Sequence, residues 1–393
     1  VQYGDNFFKD LTEKLNLTYN SKIKNNENND VDSLLHGWRV MREETLRMFV
    51  AEHCIPYFRK EVRYDLQEKA ENFIIDECAN NFSKLLLTGP YKKKKNPNEF
   101  LGDDYLFKEE EYPRVFSLIY DNAKNEVYSA MLDGNGDIIE CMKFSSLMIK
   151  PSRILNKDEK EIRMEEDEKC KMIIQQMKPD LIVIGANDLK CKYLKDYIQS
   201  CDENMQSKIF LNIFYCFFII FLGRIWTTFG DPTIPRIAAA CPRIEKLDEE
   251  NLNFFYKTAI SLGRFKQNPI AEITQLWHEE QNKNFCLSIP LHPLMKSVHQ
   301  IKLVEALENE AVRIINFIGL DLNKTCEFSH LNSPLQFISG LGPRKAKDLI
   351  NRIISKNYIA NRAALIEDSK LMKKKVFTNS AGFLRIKSSN NDN

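Results

Sequence analysis

The ten cysteines of this 393-residue chain never pair as C-x-x-C, and none lies close in sequence to two histidines. That spacing excludes the usual zinc sites, so no metal and no cofactor is implied. Cysteines scattered singly suit a reducing compartment, the cytosol or the nucleus. Net charge is nearly absent as well, with 56 Lys and Arg against 55 Asp and Glu. No unit of roughly 20 to 50 residues repeats, which excludes a solenoid. The chain begins at Val1 without a charged-then-apolar leader, and reads as an internal piece of a longer protein. Only one long apolar run occurs, "IFLNIFYCFFIIFLGRIW" at 209–226. It is too long for one strand and short for a membrane span, and it carries Asn212 and Arg224. We read it as the fifth strand of a sheet plus an insertion; translated non-coding sequence is the alternative.

What remains is an ordinary globular composition, 43% hydrophobic and 28% charged, with room for two or three domains. The charge is unevenly spread. Residues 335–393 hold 12 Lys and Arg against 4 Asp and Glu, while the rest holds 44 against 51. A basic end on a mildly acidic body points to a polyanionic partner for that end.

Along the chain, "KNNENND" (24–30) and the terminal "SSNNDN" read as loops or tails. Trp38, Met41, Leu46 and Phe49, then Phe58, Val62, Leu66, Ala70 and Phe73 after Pro56, recur at helical spacing. They predict two helices, the second long, whose apolar stripe is a packing face. Gly89 and Pro90 end that helix, and Lys92 to Lys95 form an exposed loop, a weaker candidate for phosphate contact.

Then the pattern changes. "RVFSLIYD" (114–121), "EVYSAMLD" (126–133) and "GDIIECMKF" (136–144) predict an antiparallel meander. A charged helix over 156–178 follows, then "PDLIVIGAND" (179–188), whose continuous apolar run predicts a strand buried on both faces, then a helix over 189–200. Three hairpin-linked strands, helix, central strand, helix is the order of an RNase H-like domain. From Pro242 the chain is again mainly helical; "LDEENLNFFYKTAISLGRF" (247–265) predicts a helix capped by Asp248 and ending at Gly263.

The stretch "PLQFISGLGPRKAKDLI" (334–350) sets Gly340-Leu341-Gly342-Pro343 between two helical segments. Glycines permit backbone angles and close approaches that side chains forbid, and proline suits the first position of a helix. A helix start leaves amides without internal partners and carries partial positive charge, so such a turn can hold a phosphate. Arg344 and Lys345 add charge beside it. This is a helix-hairpin-helix pattern, which grips nucleic-acid backbone without reading bases. The candidate nucleic-acid-binding residues are therefore Gly340, Leu341, Gly342, Arg344 and Lys345. A packing hairpin without nucleic-acid contact is the plainer reading. "KVFTNSAGFLRI" (375–386) predicts a second, degenerate hairpin.

"SLGRFKQNP", "LHPLMKSV", "LVEALENEAVRIINFIGLDLN" and "LQFISGLGPRKA" together resemble the suppressor-of-Ty-six transcription elongation factors, eukaryotic histone chaperones related to bacterial Tex. "FRKEVRYDLQEKAENFI", "KLLLTGPY" and "GDPTIPRI" resemble the same family, from about residue 33 to 387 with a break at 209–224. The resemblance implies a mixed α and α/β fold. A helical core segment (1–112) leads to an RNase H-like, YqgF-type domain with a mixed five-stranded sheet (113–240). A helical connector (241–333) and a helix-hairpin-helix module (334–393) follow. It also implies a nuclear, non-enzymatic factor that contacts DNA or RNA backbone, RNA polymerase II and histones. The rival is an RNase H-like nuclease, which needs converging carboxylates to hold two metal ions about 4 Å apart. Asp121, Asp188 and Asp231 are its candidates, although the first strand's interior, Phe116 to Tyr120, offers no acid.

Overall fold

The computed structural model describes residues 14, 29–91, 112–148, 157–200, 226–241, 252–277, 283–356, 359–367 and 371–386. The lysines at 92–95, the apolar run up to Arg224, the Asp248 cap and the terminal tail lie outside the described residues. Two compact units divide between Ile74 and Ile75. No helix among the described residues is long and apolar enough to cross a membrane.

The first unit's described part is helical: α1 (Asn29–Phe49), a π-helical turn (Val50–Cys54) and the start of α2 (Ile55–Leu86). The Ile55 amide donates to Val50 O, five residues back. Pro56 has no amide to donate and falls in the first turn of α2, where that loss costs little. The wider turn takes up the mismatch, so the two predicted helices meet without a break. The stripe expected as a packing face is a correction: Trp38, Met41, Phe49, Phe58, Val62, Leu66 and Phe73 are all exposed. Helical spacing shows that a face is apolar, not that anything covers it.

The second unit begins within α2, where Ile75, Cys78, Phe82 and Leu86 form a buried stripe. Its centre is a five-stranded sheet of β1 (Val115–Asp121), β2 (Glu126–Leu132), β3 (Ile138–Phe144), β4 (Leu181–Gly185) and β5 (Trp226–Gly230). The strand order is β3-β2-β1-β4-β5. β1 and β3 flank β2 antiparallel, while β1, β4 and β5 run parallel. That is the predicted mixed sheet, with the fifth strand starting at the last residue of the apolar run.

Alternation sorts the strand side chains. Phe116, Leu118, Tyr120, Ile182 and Ile184 pack under α3 (Lys157–Met177) and the helix over 191–200, α4. Val115, Ile119, Leu181 and Val183 face Ala259, Ile260 and Leu262. Those three belong to α6 (Phe254–Gln267), which follows the short α5 (Thr233–Ala239). Gly263 does not end that helix, contrary to the sequence expectation. Its missing side chain lets α6 lie on the sheet: a Cβ there would sit 2.5 Å from Leu132 Cδ1 and 3.5 Å from Ser117 Oγ. Ser117 in turn donates to Ala259 O at 2.7 Å.

The turn after β2 is clamped from outside. Gln267 Nε2 donates to Pro113 O at 2.8 Å and Asp133 O at 2.6 Å, and Arg264 Nε to Gly136 O at 2.8 Å. The buried His330 places Nε2 2.9 Å from Asn135 O. Burial, aided by the Arg264 charge, pushes its pKa down to about 4. At the far end of the sheet Glu166 of α3 accepts four hydrogen bonds, from the amides and hydroxyls of Ser145 and Ser146 at 2.7–2.8 Å. Burial raises that carboxyl's pKa, but the four bonds outweigh it and hold it below the ordinary value.

After α7 (Pro269–Thr274) come α8 (Gln300–Ile318), the two-residue β6 (Leu320–Asp321) and α9 (Leu322–Glu327). The 3-10 segment Ser333–Phe337 leads into α10 (Gly342–Ile354). Short α11 (Ala364–Glu367) and α12 (Lys374–Ser380) follow, and β7 (Leu384–Arg385) returns to pair with β6.

Candidate nucleic-acid interface

The apolar segment before the turn is a single 3-10 stretch with Leu335 and Phe337 buried. Its end is held by one side chain from α8. Asn316 Nδ2 donates to Phe337 O at 3.1 Å, and Asn316 Oδ1 accepts from the Ser339 amide at 3.0 Å. An amide that donates and accepts at once fixes a backbone segment in register. Asn323 repeats the device at the other end of α10, bonding both O and N of Ile359. Neither asparagine carried any signal in sequence, because each acts on backbone 21 to 36 residues away.

Within the turn, Gly340 has φ +89° and Gly342 φ +67°, so both sit where side chains are strained. The two glycines then differ. A Cβ on Gly340 would stand 2.8 Å from Asn379 Cβ, because α12 packs against the turn. Around Gly342 nothing lies within 4 Å of that position. Of the two, only Gly342 faces open space at that position. Leu341, one of the predicted binding residues, is buried. Its side chain belongs to the core beneath the turn, as expected of an apolar residue between two glycines that open the backbone outward.

Pro343 occupies the first turn of α10, and Ala346, Leu349 and Ile353 face inward. That leaves Arg344, Lys345 and Lys347 on the exposed side. Lys345 reaches back to the turn, Nζ donating to Gly340 O at 3.1 Å. Its ammonium is thereby held beside the glycine loop.

The second hairpin takes another form. Residues 381–383 are a 3-10 turn, and Gly382 is not in the positive-φ region. Instead of a glycine turn, the segment supplies α12, which braces the first hairpin. Asn379 touches Gly340, and Lys375 lies four residues earlier on the same helix face, about one turn away. Lys373, Lys374 and Lys375 are exposed. The fold therefore brings a second basic segment next to the first; the K-K-K run at 373–375 was its only trace in sequence.

The nuclease candidates lie at one end of the sheet, each tied to its own turn. Asp121 ends β1 and accepts from the Ala123 amide at 2.9 Å. Asp188 accepts from the Lys190 amide at 3.1 Å, and Asp231 from the Thr233 amide at 2.9 Å. Each acid closes its own turn. Lys190 Nζ donates to Asn122 Oδ1 at 3.1 Å beside the end of β1. Half-buried Lys266 has its pKa lowered by burial, and the Asp231 charge opposes that shift. Among the described residues no group of three His, Cys, Asp or Glu could hold a metal ion.

A family model described as a helix-hairpin-helix motif matches residues 284–387. The match starts well before the glycine turn and so takes in α8, whose Asn316 holds that turn. Nearly the whole chain is similar to curated proteins of one name. It is 31% identical to "Transcription elongation factor SPT6-like" of Arabidopsis thaliana, over 90% of this chain and 25% of that protein. The chain is homologous to part of the suppressor-of-Ty-six proteins. "Suppressor of Ty 6 homolog" of Caenorhabditis briggsae is 28% identical over 89% of this chain and 22% of its own length. "Transcription elongation factor SPT6" of Drosophila melanogaster is 26% identical over 90% and 18%. The chain thus spans about a quarter or less of these suppressor-of-Ty-six relatives.

Proposed function

We propose that this chain is the backbone-gripping part of a nuclear, non-enzymatic transcription elongation factor. The observation that carries the reading is the Gly342 turn. It is open at the start of a basic helix, is flanked by exposed Arg344 and Lys345, and is braced by α12 with its own lysines. Such a surface suits phosphates of any sequence. The elongation role is supported by the names of the relatives. Contact with RNA polymerase II and a histone-chaperone role rest on the resemblance. The RNase H-like sheet serves as scaffold in this reading, in keeping with acids spent on local turns and ammonium groups at the strand ends.

One observation favours a second reading, a packing joint without nucleic acid: Gly340 and Leu341 already make protein contacts. Titrating duplex DNA, single-stranded DNA and RNA at several salt concentrations decides between the two. Backbone gripping gives affinity that falls steeply with salt and is indifferent to sequence. A joint gives no salt-dependent binding.

A further inference from the structure

The exposed stripe on α2 has a chemistry of its own. Ile55, Phe58, Arg59, Val62, Arg63 and Leu66 line one shallow groove. Their spacing places them on one helix face, apolar groups along the middle and two guanidinium groups along one flank. Phe58 is 63% exposed, Val62 56% and Leu66 62%. Arg59 and Arg63 are exposed and make no ion pair or hydrogen bond with any described residue. Uncovered apolar area of this kind on a helix marks a docking surface.

We propose that this stripe docks an acidic amphipathic helix of a partner protein. Its apolar residues would lie on Phe58, Val62 and Leu66, and carboxylates along one edge would meet Arg59 and Arg63. The arginine fork matches a carboxylate in two parallel hydrogen bonds, which sets orientation as well as affinity. Charge argues against an antiparallel second copy of the chain, because a pair centred on the groove sets Arg59 against Arg63. A parallel copy would set the arginine flank against the opposite flank, which carries Glu61 and Asp65, and a concentration-dependent dimer would report it. The 3-4-4 spacing from Ile55 to Leu66 also departs from the heptad seam of a two-stranded coil. Nucleic acid is disfavoured because Ile55, Val62 and Leu66 offer bases no flat face to stack on. The inference stands apart from the glycine turn and survives if that turn binds nothing.

The test uses the full chain and a fluorescent peptide of about five helical turns, with leucines at helical spacing and glutamates on one flank. A scrambled peptide of equal composition, a version with lysine for every glutamate, and oligo-U RNA are run beside it. The acidic peptide should bind at least about tenfold more tightly than the scrambled or lysine versions. Arg59→Glu with Arg63→Glu should remove that preference and transfer binding to the lysine peptide. Val62→Asp should weaken both, and thermal melting should be unchanged in all variants, since the altered side chains are exposed. Absence of acidic-peptide binding, or binding indifferent to these substitutions, overturns the proposal. So does competition by oligo-U that the arginine reversal abolishes, or a concentration-dependent dimer dispersed by Val62→Asp.

Discussion

At the carboxyl ends of the parallel strands, Asp121, Asp188 and Asp231 each accept an amide two residues on. At the start of α10, by contrast, Gly342 is open and Arg344 and Lys345 are exposed. Both places end a regular element and both carry charge. Each acid is tied to an amide of its own turn, whereas at the helix start Lys345 reaches the turn carbonyl of Gly340 and Arg344 is exposed beside the open Gly342. The difference teaches that charged residues near an element's end are read only together with the backbone that holds them, closed turns around the acids and an open glycine turn beside the cations. Among the described residues the three acids do not gather, with each other or with others, into a group of three that could hold a metal ion.

The comparison makes substitutions in the sheet costly for stability and those in the turn costly for binding. The largest effect is expected at Gly263. Valine there should lower unfolding free energy by about 3 kcal/mol in urea titrations, because its Cβ alone meets the buried Leu132 side chain at 2.5 Å. A small effect would mean that α6 does not lie on β1 and β2 as described.

Next comes His330. Its folded pKa, about 4, lies below the ordinary 6.5, so the unfolded chain takes up the proton first. Stability should be full above pH 6.5 and fall by up to about 3 kcal/mol as pH drops towards 4. His330→Gln keeps a donor for Asn135 O without the titration and should flatten that interval. Glu166, held below its ordinary value, should act at lower pH. Its contribution is present above about pH 4.5 and is lost on further acidification. Glu166→Gln should cost about 1–3 kcal/mol at neutral pH and remove the lower step from acid-unfolding curves.

In the turn the expected pattern reverses. Gly342→Val both strains a positive φ and fills the open approach, so it should abolish most DNA binding at a stability cost of about 1–2 kcal/mol. Arg344→Glu with Lys345→Glu should leave circular dichroism and melting nearly unchanged. If both contact phosphate, it should reduce the salt slope of log affinity on duplex DNA by about 1.8, equally for all sequences. Binding at low salt as tight as that of the parent chain would reduce the turn to a packing device and erase the contrast with the sheet.

Much of this was legible in the residues. Strand-like runs joined by short turns located three strands and a continuous apolar run the fourth, since turn chemistry and burial on both faces leave those marks directly. G-L-G-P followed by basic residues marked the turn, because glycine enters those angles without strain and the first helical turn tolerates proline. Within the site, Arg344 and Lys345 lie on the exposed side as expected, and Leu341 does not.

What tertiary structure alone decided shares one physical cause. Gly263 reads locally as a helix end, yet its role is fixed by Leu132, 131 positions away. Asn316, Asn323 and Lys375 gain meaning only from the backbone that the fold brings beside them. The α2 stripe looks like core until one asks what covers it. Spacing along a chain encodes which face of an element is apolar or charged, because that follows from its own dihedral angles. Which other element meets that face depends on contacts between distant residues, and no local period records them.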